Sequence, residues 1–111
     1  RVGTMEREHV AMARWIEAHL PKDALLALSD IGAITYLTDR RIIDIEGLVT
    51  PELRLENPRH SREKDLAIYR YLKEKRATHL VTFYWLYRGI PQEVRRPLHK
   101  EGHLMLYELH W

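Results

Sequence analysis

Two acidic side chains occupy positions at which an α/β sheet commonly binds its ligand. Asp30 follows the apolar run 24–28, and Asp44 lies near the end of the β-branched run 41–45. If both runs are parallel strands, the two carboxylates lie beyond the carboxyl ends of the strands, where open α/β sheets bind ligands. Carboxylates there can hold Mg²⁺ or accept hydrogen bonds from sugar hydroxyls. The sequence therefore predicts a binding site that includes both residues.

The same two acids also have structural uses, which stay open at this point. Asp30 can cap the short helix that follows it. Asp44 can pair with Arg40 or Arg41, or accept hydrogen bonds from loop amides near Gly47.

Histidine is frequent, with seven residues in the chain. His99, Glu101 and His103 are spaced by two, which could bring two imidazoles and a carboxylate together. No further metal ligand can be named beside them, and we expect no metal site. His9 and His79 lie within apolar elements and are interpreted as hydrogen-bonded core or boundary histidines.

Other kinds of chemistry are excluded or unsupported by the composition. The chain has no cysteine, which excludes disulfides, thiolate catalysis and Cys-based zinc sites. Its five glycines form neither a P-loop nor a GxGxxG motif. No serine lies in a nucleophile-elbow signature. We therefore expect no cofactor and no catalytic residue.

Charge and length restrict the class of protein. Eighteen basic residues oppose sixteen acidic ones, a net charge of +2 that is no nucleic-acid signature. The longest stretches without Asp, Glu, Lys or Arg, 31–38 and 77–87, are shorter than the roughly 20 residues of a membrane helix. With 111 residues, 45% of them apolar, the chain can bury one core. We expect one soluble domain over residues 1–111.

Periodicity places these residues on alternating helices and strands. The polar stretch between Pro91 and Gly102 is interpreted as a connection. Alternation of this kind favours a single three-layer Rossmann-like α/β domain, with a mainly parallel sheet of about four strands and an antiparallel C-terminal edge strand. The predicted helices are 4–20, 31–37 and 61–76, the predicted strands are 24–28, 41–45, 79–83 and 103–110, and 46–60 is a predicted loop.

Several short motifs resemble the soluble C-terminal region of bacterial and archaeal membrane glycosyltransferases. These are multi-spanning enzymes of the GT-C type, related to the dolichyl-phosphate-mannose mannosyltransferases and aminoarabinose transferases. The resemblance covers Trp15 to Phe83, and at Thr78-His79 the sequence departs from the Pro-Asp of that family. The motifs are Trp15-Ile16, Leu20-Pro21-Lys22-Asp23-Ala24, Asp30-Ile31-Gly32-Ala33-Ile34-Thr35-Tyr36, Arg41-Ile42-Ile43-Asp44-Ile45-Glu46-Gly47-Leu48, Tyr71-Leu72-Lys73-Glu74-Lys75 and Thr78-His79-Leu80-Val81.

The resemblance implies an accessory domain on the extracytoplasmic face of a membrane, as part of a membrane-anchored parent. Its partners would be the membrane helices of the same polypeptide and a lipid-linked sugar or glycan acceptor, with no nucleic acid. The catalytic acids of such enzymes lie in an early loop without counterpart here, so the domain alone would be inactive. Asp44 and Gly47 would order the 46–60 loop near the membrane-facing site. Trp85, Tyr87 and Trp111 would be either interfacial anchors or core residues.

Two other functions remain as alternatives. One is an autonomous small Mg²⁺-dependent phosphoryl hydrolase that uses Asp30 and Asp44. The other is a nucleic-acid or adaptor-binding module.

Overall fold

The computed structural model describes residues 4–29, 32–45, 58–83 and 89–111. These residues form one mixed sheet in the order β2-β1-β3-β5-β4, together with three helices. β1 is parallel to β2 and to β3, whereas β5 is antiparallel to β3 and to β4. The elements are α1 (Thr4–His19), β1 (Leu25–Leu28), α2 (Gly32–Leu37), β2 (Arg41–Asp44), α3 (Pro58–Lys75), β3 (His79–Phe83), β4 (Arg95–Glu101) and β5 (Leu104–Leu109).

Apolar side chains pack on both faces of the sheet. On one face, Met12 and Ile16 of α1 lie four residues apart and pack with Leu26 and Leu106. On the other face, residues of α3, including Leu72, pack on the opposite side chains of the same strands. Because neighbouring strand residues point to opposite faces, the buried strands β1 and β3 supply both clusters.

The end of α3 contains a strained residue. Arg76 has φ 57°, and the amide of Ala77 donates to the carbonyl of Leu72 at 3.0 Å while the amide of Arg76 donates to Lys73 at 3.2 Å. This pattern is a Schellman cap, in which a left-handed residue ends the helix and is usually glycine. The non-glycine residue therefore costs stability that the two hydrogen bonds offset.

The predicted Rossmann-like domain with about four mainly parallel strands is wrong. The sheet has five strands, and two of its four pairings are parallel. The C-terminal strand β5 lies inside the sheet, and β4 forms the edge. The predicted connection after Pro91 is in fact β4, in which Arg96, Pro97 and Lys100 are exposed. An edge strand tolerates proline and charged side chains, so it carries no apolar signal.

The remaining element predictions agree with the structure to within a few residues. The strand 79–83 is confirmed, and α1 ends one residue before the predicted boundary. α3 begins at Pro58, three residues earlier than predicted. Residues 46–57, the larger part of the predicted loop, lie outside the described residues. In the part of the chain that the structure describes, no helix has both the length and the hydropathy needed to cross a membrane.

The three parallel strands end along the same side of the sheet, which runs across the strands and is here called the carboxyl edge. β1, β2 and β3 end there at Leu28, Asp44 and Phe83, because the strands are parallel and in register. β5 begins there, since Leu104 pairs with Phe83. The first half of α1 reaches the same edge, where the His9 ring lies 6.4 Å from that of Phe83.

Candidate functional site at the carboxyl edge

Asp44 is the one predicted binding residue that the described structure places. It is the last residue of β2, pairs in register with Leu28 of β1, and is exposed at the carboxyl edge. Asp30 and Gly47, the other two candidate residues, lie outside the described residues. Ser29, the last described residue before Asp30, lies at the same edge, with its amide donating to the Val81 carbonyl at 3.3 Å.

A buried carboxylate and a histidine form a second polar group at this edge. Glu8 of α1 is 8% exposed. Its Oε1 accepts a hydrogen bond from the backbone amide of His103 at 2.6 Å and another from His103 Nδ1 at 2.8 Å, while Oε2 lies 3.1 Å from the same nitrogen. Half of the His103 side chain remains exposed. The contact joins α1 to the β4–β5 turn, and we call it the Glu8–His103 pair.

The turn residue Gly102 makes this contact possible. Gly102 has φ +59°, a conformation that side chains other than glycine rarely adopt. A Cβ added there would overlap the Glu8 carboxylate. The turn is therefore shaped around the carboxylate, both by its backbone conformation and by the missing side chain.

Hydrogen bonding keeps Glu8 ionised. The backbone hydrogen bond from His103 lowers the pKa of the Glu8 carboxyl from its usual value, with further contributions from the His103 side chain and from His9. Burial acts in the opposite direction and is outweighed. Because a carboxylate can only accept, His103 carries a hydrogen on Nδ1, and its other ring nitrogen, Nε2, lies on the far side of the ring.

The predicted group of His99, Glu101 and His103 is divided between two separate contacts. His99 Nε2 lies 2.5 Å from Glu101 Oε2, and the His99 ring stacks on Trp15 at 4.5 Å. His103 turns instead to Glu8. Within the described ranges, no three His, Asp or Glu side chains are arranged to hold a metal ion.

Two buried polar atoms flank the end of β3. His9 Nε2 and Thr82 Oγ1 are buried, and neither has a hydrogen-bond partner among the described residues. His9 is half-buried beside Phe83, which is the boundary position predicted for it, although its Nε2 has no hydrogen-bond partner among the described residues.

The side of the sheet opposite the carboxyl edge, where β1 and β3 begin, contains polar residues with a structural role. Thr78 Oγ1 accepts from the Leu25 amide at 2.8 Å, and His79 Nδ1 lies 2.8 Å from the same oxygen. Trp111 donates from Nε1 to the Ala77 carbonyl at 2.8 Å and packs edge-to-face on Tyr69. Trp111 thus has the packed position expected of a core residue. Trp85 and Tyr87 lie outside the described residues.

Sequence reasoning missed the Glu8–His103 pair. Glu8 near the start of α1 suits the positive end of the helix dipole, which offers a local explanation for it, and its partner is 95 positions away. The only local signal is Gly102 between two polar residues, which indicates a tight turn but does not indicate what the turn encloses.

Comparison with models of protein families matches most of this chain to one family. Residues 3–111 match the family model described as "Domain of unknown function (DUF8728)". The chain belongs to this family. Comparison of the DUF8728 domain with curated proteins and with solved structures finds no match to either.

Proposed function

We propose that this DUF8728 domain is the extracytoplasmic C-terminal accessory domain of a membrane glycosyltransferase that uses a polyprenyl-phosphate sugar donor. In this proposal the domain helps to bind or position the acceptor and has no transfer activity alone. Its partners are the membrane helices of the same polypeptide and a lipid-linked sugar or glycan acceptor.

The observation that carries this proposal is the convergence of two motif segments at one edge of the sheet. The segment 30–36 follows β1, and the segment 41–48 contains β2. Because β1 and β2 are parallel, Ser29 and Asp44 lie at the same carboxyl edge. Ligands of such sheets bind beyond the carboxyl ends of the strands. Both motif segments are thus adjacent in sequence to strand ends that lie at the edge where a ligand is expected to bind.

The start of α1 supports the same orientation. α1 begins at Thr4, and its first half lies at the carboxyl edge, where Glu8 contacts His103. Membrane helices that precede α1 would therefore enter the domain on the side that carries Asp44. This arrangement would place Asp44, with Asp30 and Gly47 as further candidates, next to an acceptor held near the membrane surface.

The proposal is tested first on the protein in its native source. An antibody raised against the domain is used on fractionated cells to determine whether the protein pellets with membranes and at what apparent mass. We expect a membrane-bound species much heavier than the 13.3 kDa of this chain. A species near 13.3 kDa in the supernatant would contradict the proposal and would favour the Mg²⁺-dependent hydrolase as the next hypothesis.

A second experiment tests the absence of catalysis. The purified domain is incubated with a radiolabelled polyprenyl-phosphate sugar and a mixture of lipid and glycan acceptors. We expect no transfer by the domain alone. Turnover by the purified domain would show that it has its own active site and would contradict the accessory role.

A further inference from the structure

We propose that the C-terminal end of α3 is a docking surface for an acidic segment of a partner protein. Four basic side chains form this surface, which we call the basic end of α3: Arg70, Lys73, Lys75 and Arg76. The surface lies where the chain leaves α3 to begin β3, on the side of the sheet opposite the carboxyl edge. The inference therefore goes beyond the proposed function and does not depend on it.

The first argument is the backbone conformation of Arg76. Its φ of 57° lies in the left-handed region, and the residue that ends a helix in this way is usually glycine. Glycine would end α3 without strain, and Lys73 and Lys75 already supply the positive charge that a helix C-terminus favours. Strained residues are concentrated at functional sites. A functional role of the exposed Arg76 side chain explains why a strained arginine occupies this position.

The second argument is the concentration of positive charge. Residues 70–76 contain four basic residues and one acidic residue, a net charge of +3, whereas the net charge of the whole chain is +2. All four basic side chains are exposed, and none of them forms an ion pair within the part of the chain that the structure describes. The buried Arg40, in contrast, is paired with Glu17 at 3.0 Å. The basic end of α3 therefore presents a positive potential to an anionic partner.

The third argument is the presence of aromatic side chains beside the cations. Lys73 Nζ lies 5.9 Å from the centre of the Tyr69 ring, and Trp111 packs edge-to-face on the same ring. Tyr69 and Trp111 are both half-buried, so each ring keeps part of its surface exposed. Interfaces between proteins are enriched in tyrosine, tryptophan and arginine, and these residues supply most of the binding energy. The composition of this surface thus favours a protein partner.

Two other kinds of polyanion fit the surface less well. Single-stranded nucleic acid binds through bases that stack on open aromatic faces, whereas the ammonium groups of Lys73 and Lys75 lie over the rings of Tyr69 and Tyr71. Helices that lie on an anionic membrane project large apolar side chains beside their cations. Here the exposed residue between the two lysines is Glu74, which anionic lipids would repel. An acidic peptide requires neither open ring faces nor projecting apolar groups.

The test is a fluorescence-anisotropy titration of a fluorescein-labelled peptide of about ten glutamate and leucine residues with the domain. We expect saturable binding with a Kd on the order of 10–100 μM at about 50 mM NaCl, and weaker binding as the salt concentration is raised. The same peptide with glutamine in place of glutamate should not bind.

The informative variant is Arg76→Gly, because it removes one charge and at the same time relieves the backbone strain. We expect it to unfold at a higher urea concentration than wild type and yet to bind the peptide about two- to fivefold more weakly. Arg76→Lys keeps the charge and should bind as wild type does. Arg70→Gln should also weaken binding. Its matched control is Arg14→Gln, an exposed arginine of α1 on the other face of the sheet, which should leave the affinity unchanged.

The proposal is overturned if the acidic peptide does not bind saturably, if Arg76→Gly binds as tightly as wild type, or if Arg14→Gln weakens binding as much as Arg70→Gln. Tighter binding of a single-stranded oligonucleotide than of the peptide would also overturn it. The same conclusion would follow from tighter binding of vesicles that contain phosphatidylserine.

Discussion

Replacing Gly102 by alanine should be among the most destabilising single changes in the β4–β5 turn. The backbone at this position has φ +59°, which costs an L-residue roughly 1–2 kcal/mol. The added Cβ would also overlap the Glu8 carboxylate, which must then move away from His103. Losing a buried hydrogen bond to a charged group costs about 1.5–3 kcal/mol. Together the two effects predict a loss of about 2.5–5 kcal/mol in the free energy of unfolding.

The measurement is urea-induced unfolding of four proteins: wild type, Gly102→Ala, Glu8→Ala and the double variant. In the Glu8→Ala background the carboxylate is absent, so the alanine at position 102 should cost only the backbone part, about 1–2 kcal/mol. The double-mutant cycle then shows a coupling of about 1.5–3 kcal/mol between the two positions. Equal costs of Gly102→Ala in both backgrounds would refute the conclusion that the turn is shaped around the carboxylate.

Three further predictions concern other parts of the domain. Burial lowers the pKa of His79 in the folded domain, so the unfolded chain takes up a proton at this histidine more readily than the folded one. The free energy of unfolding should therefore fall as the pH drops below about 6.5. His79→Gln should remove this slope in unfolding curves between about pH 7.5 and pH 5.5. Thr82→Val removes a buried hydroxyl that has no hydrogen-bond partner among the described residues, so the urea midpoint should stay unchanged or rise. A loss of more than about 1 kcal/mol in the free energy of unfolding would show that the hydroxyl has a hydrogen-bond partner. Arg76→Gly relieves a left-handed φ of 57° and should stabilise the domain by about 0.5–1 kcal/mol, with Arg76→Ala as a control that should not.

The elements with a strong apolar pattern could be predicted from the sequence, and the polar outer strand β4 could not. β1 and β3 are buried on both faces, which gives β1 a continuous apolar run and β3 an apolar pattern interrupted by His79 and Thr82. β4 has one edge without a strand partner among the described residues and exposes Arg96 and Lys100, so it resembles a loop in composition. Missing β4 also displaced β5 from the interior of the sheet to its edge in the predicted topology.

The candidate site could be predicted only where it depends on strand ends. The sequence predicts Asp44 at the carboxyl edge because it lies near the end of a strand-forming run, and the structure confirms that position. Glu8 and His103 come together only after α1 packs on the sheet and the β4–β5 turn closes. A contact between residues so distant in sequence leaves no periodicity, so one sequence alone cannot reveal it.

The position of β5 between β3 and β4 also bears on how the chain avoids self-association. β3 is apolar and buried along most of its length, and β5 covers the side that β1 does not. A chain cut before β4 would leave that side open as an apolar template for strands of other molecules. The C-terminal hairpin replaces this surface with a strand that carries charges, Pro97 and a bulge, all of which discourage further pairing. A form of the domain that lacks this hairpin should therefore be more prone to aggregation than the intact domain.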